Sequence, residues 1–299
     1  MTVKQTGNQV LGRGDCENSL AVSPRSLAQI LCAGEFVSLC EIHSPMPEKR
    51  DAFVRDADLL KPYFDAMVVT GQIKGRPVLS SSVAAGMLRD RKIESVAVLC
   101  GQECDGVNLP EKLRDISHCG VRSVVCLSGD PIPNKQGTLE GLEILRVANH
   151  SDDGGGRTCL GSVIDPFLQT VDHMVMRLDQ KANAGADFVL TQMVFDLSGF
   201  KTFCNAVRVA GLDQKTAVIA GIPVVVSEQG LALAKRLPGL CLPIAVEEQL
   251  LGASDMPACG MAMAKELIDQ IRQLPGVRGV CLMLLGGRDY QQLIDVIRP

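Results

Sequence analysis

Aromatic side chains are scarce here: the 299 residues include no Trp, two Tyr and eight Phe. Broad base-stacking platforms are thereby excluded, and small and aliphatic side chains must build the core. Excess positive charge is missing too. The formal net charge is −4 and the pI about 5.6. No run of Lys and Arg occurs to attract a phosphate backbone, so nucleic acid is not an expected partner. No stretch approaches the ~18 apolar residues of a membrane span. The first 22 residues lack the continuous apolar segment of a signal peptide. A cytoplasmic protein with no membrane association is the expectation. The twelve cysteines are scattered, mostly inside apolar stretches such as 36–42 and 123–129, and read as reduced, buried small hydrophobes. Cys100 and Cys104 are spaced C-x3-C with no second pair and no His at zinc-ligand spacing, so no metal site is expected.

What is present is an alternation. Residues 1–22 show no periodicity and read as a flexible tail, with the fold beginning at Ser23 and running to residue 299. From there, short β-branched runs alternate with longer amphipathic segments, the pattern of a parallel sheet covered on both faces. The expected strands are 35–42, 65–70, 94–100, 121–129, 157–164, 187–194, 215–222 and 278–285. Helical spacing marks 110–118, 168–185 and 258–273, each with a glycine at or just beyond its end, and a shorter pair is expected at 229–237 and 245–252. Eight strands with crossover helices close into a single-domain (β/α)8 TIM barrel, because closure pairs every strand and leaves no edge. A doubly wound open sheet is the alternative. Against it, strand one runs into HSPMPEKR rather than a G-x-G-x-x-G turn. The glycine triplet 154–156 lacks the Gly-Lys-Ser/Thr ending of a phosphate loop and reads as a linker.

Barrel enzymes draw their sites from the carboxyl ends of the strands. Those ends carry Glu41, Thr70, Gln102, Gly129 with Asp130, Gln192 and, after strand eight, Arg288. Glu41 stands in the apolar run FVSLCEI, where desolvation suits a carboxylate to proton donation. The structural alternative is an ion pair across the mouth. Asp130 could accept hydrogen bonds from a ligand approaching over Gly129, or be a solvated turn residue. Lys181, late in its helix, would on position alone complement the helix dipole. His43, directly after strand one, admits a proton-shuttle or a loop role. Gly286 and Gly287 let Arg288 turn back over the mouth, where it would suit a carboxylate-bearing substrate.

FVSLCEIHSP at 36–45, VRSVVCLSGDP at 121–131, LDQKANAGADFVLTQMVFD at 178–196 and IAGIPVV at 219–225 together resemble the methylenetetrahydrofolate reductases, over about residues 24–299. The most specific piece is K-x-x-A-G-A-D-x-x-x-T-Q-x-x-x-D. The resemblance implies a flavin-bearing barrel, holding FAD or FMN, that passes hydride from NAD(P)H to the flavin and on to methylenetetrahydrofolate. It further implies Glu41 as the acid that opens the folate ring, Asp130 as the aspartate beside the flavin, Thr70 and Lys181 as flavin contacts, and Gln192 as a folate contact.

The departures carry weight as well. Ser128 stands where the family has arginine, Ala97 where it has a strand-three histidine, and Gly161 and Asp165 where it has an aromatic and a histidine. Each lost bidentate or charge-assisted contact costs about 1.5–3 kcal/mol of flavin affinity. Three functions therefore stand side by side: the flavin-dependent reductase, a flavin-free tetrahydrofolate methyltransferase or demethylase component with a corrinoid or methoxylated partner, and a non-catalytic subunit of a redox complex. The oligomeric state stays open.

Overall fold

The computed structural model describes residues 25–71, 77–129, 138–151, 157–237 and 239–298. The expected tail at 1–22, the glycine triplet and Asp130 lie outside the described residues. Eight strands run β1 (Val37–His43), β2 (Ala66–Thr70), β3 (Ser95–Cys100), β4 (Ser123–Leu127), β5 (Cys159–Ile164), β6 (Phe188–Met193), β7 (Ala217–Val225) and β8 (Val277–Leu285). Every neighbouring pair is parallel and β1 pairs with β8, with Leu39 opposite Cys281, so the sheet closes in chain order. The chain is a single-domain (β/α)8 barrel, as its alternation predicted.

The helices are α1 (Leu27–Cys32), α2 (Arg50–Leu60), α3 (Ser81–Asp90), α4 (Leu109–His118), α5 (Gly141–His150), α6 (Val171–Asn183), α7 (Leu197–Val209), α8 (Glu228–Ala234), α9 (Ile244–Gly252), α10 (Met256–Arg272) and α11 (Gln291–Ile297). The segment expected as helix from 168 begins only at Val171, with extended Thr170 before it, and the chain leaves the helix through Gly185 at φ +106°. That left-handed backbone is open to glycine at little cost.

A two-residue period separates two cores. Along β1, Cys40 and Ile42 face the helices and join the outer layer. Val37 and Leu39 face inward with Val68, Val96, Val125, Phe188, Leu190, Ile219 and Cys281 and fill the barrel. Leu27 and Ile30 of α1 belong to this inner cluster and stopper the amino-terminal end. Continuing the period, Glu41 and His43 are the next inward positions of β1 after Leu39, now at the carboxyl end.

Two local features shape that end. In β6 and β7, Leu190 opposes Ile219 and Met193 opposes Gly221, so Thr191 and Gln192 together face Ala220 in a bulge. The Thr191 hydroxyl accepts the Gly221 amide proton at 3.0 Å. β7 then continues to Val225 instead of ending at Ile222, past Pro223. Gly221 turns its amide and carbonyl toward β6, and Pro223, two residues on, faces the same side beyond the end of β6 at Met193. Its missing N–H therefore breaks no ladder bond.

Candidate functional site

The carboxyl-terminal mouth opens into a cleft of about 410 Å³ whose walls include Glu41, Thr70, Ser128, Gly129, Asp165, Arg177, Lys181 and Gln192. Its floor is the top apolar layer of the barrel, including Val68, Val98, Val125, Leu190 and Met283. The volume is in the ~300–1,000 Å³ range of small-molecule sites, and polar walls over an apolar floor are their usual composition.

Glu41, Thr70 and His43 form one cluster. His43 and Thr70 sit directly opposite each other in the β1–β2 register. Thr70 Oγ1 donates to Glu41 Oε1 at 3.4 Å and lies 2.8 Å from His43 Nδ1. The imidazole nitrogen is itself 3.6 Å from the carboxylate, with the Glu41 side chain 22% exposed and that of His43 53%. The ion pair that Glu41 might have made with Lys or Arg is absent among the described residues, and its ionisable neighbour is this histidine. His43 is the last residue of β1, not a loop residue.

Across the mouth, Lys181 is only 8% exposed and its Nζ donates to Ser162 Oγ at 3.0 Å. The dipole-complementing surface lysine is thus corrected: the buried face of α6 runs Met174, Leu178, Lys181, so the ammonium is drawn inward with its stripe. Burial, and then the Arg177 charge one turn earlier, push the Lys181 pKa down from 10.5 to about 8. Among the described residues no carboxylate lies within ion-pair distance of it. Arg177 escaped the sequence reading, although the i, i+4 spacing to Lys181 on a helix was available as a signal. Asp165, just beyond β5, also lines the cleft, and burial raises its pKa.

Gln192 follows Phe188 and Leu190 on the inward face, and its Oε1 accepts the Met193 amide proton at 3.0 Å. Gly129 has φ +78°, and a Cβ there would stand 2.5 Å from Cys100 Sγ. A side chain is therefore excluded at this part of the cleft wall. Arg288 stands apart from Gln192. It is exposed and borders a second cleft of about 280 Å³ with His43, Ser44, Lys49, Asp56 and Tyr290, rather than the cleft that holds Gln192. The turn at Gly286, φ +79°, carries the chain toward α11 on the β1 side of the mouth.

The positions where ring contacts were expected to be lost can now be placed. Ser128 Oγ donates to Glu140 Oε2 and accepts the Gly141 amide proton, both at 2.9 Å, so it holds the start of α5. Ala97 belongs to the outer layer, facing the helices, and the β3 residue at the cleft is Val98. Gly161 lies within β5, and a Cβ there would run into the Phe188 ring. The described residues therefore suit the phosphate end of a flavin, through Arg177 and Lys181, and offer its ring system no comparable set of donors.

Fold and site define a barrel with a small-molecule cleft, acid-bearing on one wall and cationic on the other. The model of the methylenetetrahydrofolate reductase family matches residues 27–289, and the chain belongs to that family. Relatives include the probable methylenetetrahydrofolate reductase (NADPH) of Caenorhabditis elegans, 25% identical over 173 residues that make up 55% of this chain and 25% of that protein. Methylenetetrahydrofolate reductase 2 of Saccharomyces cerevisiae is 47% identical over 130 residues, 38% of this chain and 20% of that protein. The matches thus span a quarter of these relatives' length or less. Among solved structures, a protein from Clostridium thermocellum that binds two copies of 5-methyl-5,6,7,8-tetrahydrofolic acid superposes with a TM-score of 0.73 at 16% identity, covering 91% of this chain and 96% of that one. No described helix is long and apolar enough to cross a membrane.

Proposed function

We propose that the protein is a tetrahydrofolate-dependent enzyme of one-carbon metabolism, interconverting the 5,10-methylene and 5-methyl forms, with Glu41 as its acid. The carrying observation is the inward carboxylate of Glu41, hydrogen-bonded by Thr70 in the cleft that also holds Gln192. The solved structure that binds 5-methyltetrahydrofolate supports the choice of ligand. In the reductive direction the Glu41 carboxyl gives its proton to the bridging nitrogen of the folate. The carbon–nitrogen bond then breaks toward that nitrogen, leaving an iminium carbon ready for hydride. The Thr70 hydroxyl stabilises the carboxylate that remains, and Gln192, its oxygen held by Met193, turns its amide NH2 to the pterin. Asp130, outside the described residues, is a second pterin or flavin contact in this reading. Arg288, exposed at the rim of the side cleft, reaches out to the folate's carboxylate tail beyond the mouth and leaves that cleft open to water.

A flavin, when bound, supplies the hydride and takes it from NAD(P)H. Arg177 and Lys181 would hold its phosphate, with Thr70 and Gly129 beside the ring. A second reading, methyl transfer to or from tetrahydrofolate without flavin, is favoured by the Ser128 hydroxyl being committed to α5 and by Phe188 filling the space beside Gly161. One experiment separates the two: identify any cofactor released on denaturation, and titrate the parent and Gln192→Ala with 5-methyltetrahydrofolate. Flavin together with Gln192-dependent folate binding supports the reductase, and folate binding without flavin supports the transferase. Binding of neither overturns the folate reading.

A further inference from the structure

A ligand in the main cleft cuts Glu41 off from the water that would reload it, because Glu41 lines that cleft and not its neighbour. His43 has the opposite placement. It lines the side cleft, and half of its side chain is exposed there. Thr70 joins the two, 2.8 Å from His43 Nδ1 and 3.4 Å from Glu41 Oε1. A threonine hydroxyl carries one proton. With that proton directed at the carboxylate, the Thr70 oxygen accepts and His43 Nδ1 donates, which fixes the direction of the chain.

We propose that His43 is a positioning residue and proton inlet for Glu41, feeding it through the Thr70 hydroxyl from the side cleft while substrate occupies the main one. The inference rests on the reading of Glu41 as the acid. In the transfer, the His43 Nδ1–H bond breaks as a bond from that proton to Thr70 Oγ1 forms. The original Thr70 O–H bond breaks as Glu41 gains its proton. Imidazolium and carboxylate become imidazole and carboxylic acid, and water in the side cleft returns a proton to the ring. The charged and titratable groups around the imidazole are Glu41 on its own strand, Lys49 and Asp56 from the α2 side, and Arg288 and Tyr290 from the segment after β8. The Tyr290 hydroxyl accepts the His43 amide proton at 3.5 Å, which fixes the strand end.

The test uses the full chain labelled with ¹⁵N-histidine, His43 being assigned among the four histidines by its absence in His43→Gln. A proton on Nδ1 is expected, with its signal displaced in Thr70→Val and still exchanging with water when 5-methyltetrahydrofolate is saturating. In turnover, His43→Gln should lower kcat about tenfold, short of the ~10²–10⁴-fold worth of a general acid, with KM unchanged and activity restored by added imidazole. An Nδ1 without a proton, a signal indifferent to Thr70→Val, or parental turnover in His43→Gln overturns the relay. A parent that neither binds nor converts folate overturns the functional reading instead, and the ring-proton measurement still decides whether the relay exists.

Discussion

Replacing Lys181 by methionine should make the protein more stable and less able to hold an anion. The ammonium is almost fully buried, with one hydrogen bond among the described residues, to Ser162, and a guanidinium one turn away. Its pKa falls from 10.5 to about 8, which corresponds to about 3 kcal/mol of folding free energy lost by keeping the charge inside. Methionine matches the length and flexibility of the stem and leaves Ser162 donating to the Cys126 carbonyl at 3.1 Å. Allowing about 1 kcal/mol for the lost lysine hydrogen bond, Lys181→Met should gain roughly 1–3 kcal/mol at pH 7. The sign follows from the direction of the shift. Below about pH 8 the lysine is charged in both states and the gain is complete. Between there and 10.5 the folded protein sheds the proton first, so the parent recovers stability with rising pH and the gain shrinks. Above that window both states are neutral and the gain disappears. Urea unfolding of both proteins from pH 7 to 11 measures it, the tyrosines and the cysteines other than Cys126, which feels the Lys181 charge, cancelling in the difference. A difference that does not change across the window, or a methionine variant less stable than the parent at pH 7, would refute the reasoning. The same variant should weaken FAD or FMN binding about 10–150-fold, the value of one charge-assisted phosphate contact.

Glu41→Gln should fold as the parent does and lose about 10²–10⁴-fold of folate turnover, since the amide keeps the shape and has no proton to give. Turnover within twofold of the parent would make Glu41 structural. Phe188→Ala, emptying the middle of the barrel beneath the cleft, should cost about 3–5 kcal/mol in urea denaturation, and a loss under 1 kcal/mol would mean that the ring is not a packing element. Arg288→Ala should raise the dissociation constant for 5-methyltetrahydrofolate about 10-fold and leave that for a pterin without the glutamate tail unchanged. Equal effects on both ligands would remove the tail assignment.

The barrel was legible because the buried strands are short, mostly aliphatic runs and several crossovers end at a punctuating glycine, as at Gly120, Gly185 and Gly276. Strand boundaries moved by up to three residues, most where a local feature intervened, as at Pro223, whose missing amide proton costs nothing beyond the end of β6. The acid wall of the site was legible too, since Glu41 interrupts an inward apolar alternation. The cationic wall was legible only through the resemblance, which singled out Lys181 and left out Arg177. A lysine late in a helix looks like a surface residue until the neighbouring elements show that its stripe faces the sheet, and Arg177 is visible only once Lys181 is known to be buried. On β3 the sequence singled out Ala97, which faces the helices while its neighbour Val98 meets the cleft, because a β-strand exchanges its faces at every step.

The contact between Gly161 and Phe188 also limits the routes by which this sequence can change. An aromatic introduced at 161 would collide with the Phe188 ring, and truncating Phe188 alone would leave a void, so each step is harmful while the other residue stays as it is. A graft of an aromatic at this position must alter both sites together, and its effect will depart from the sum of the single changes. A chain that carries this glycine and this buried phenylalanine thus faces a barrier to placing an aromatic at 161 by single substitutions, whatever ligand the cleft holds.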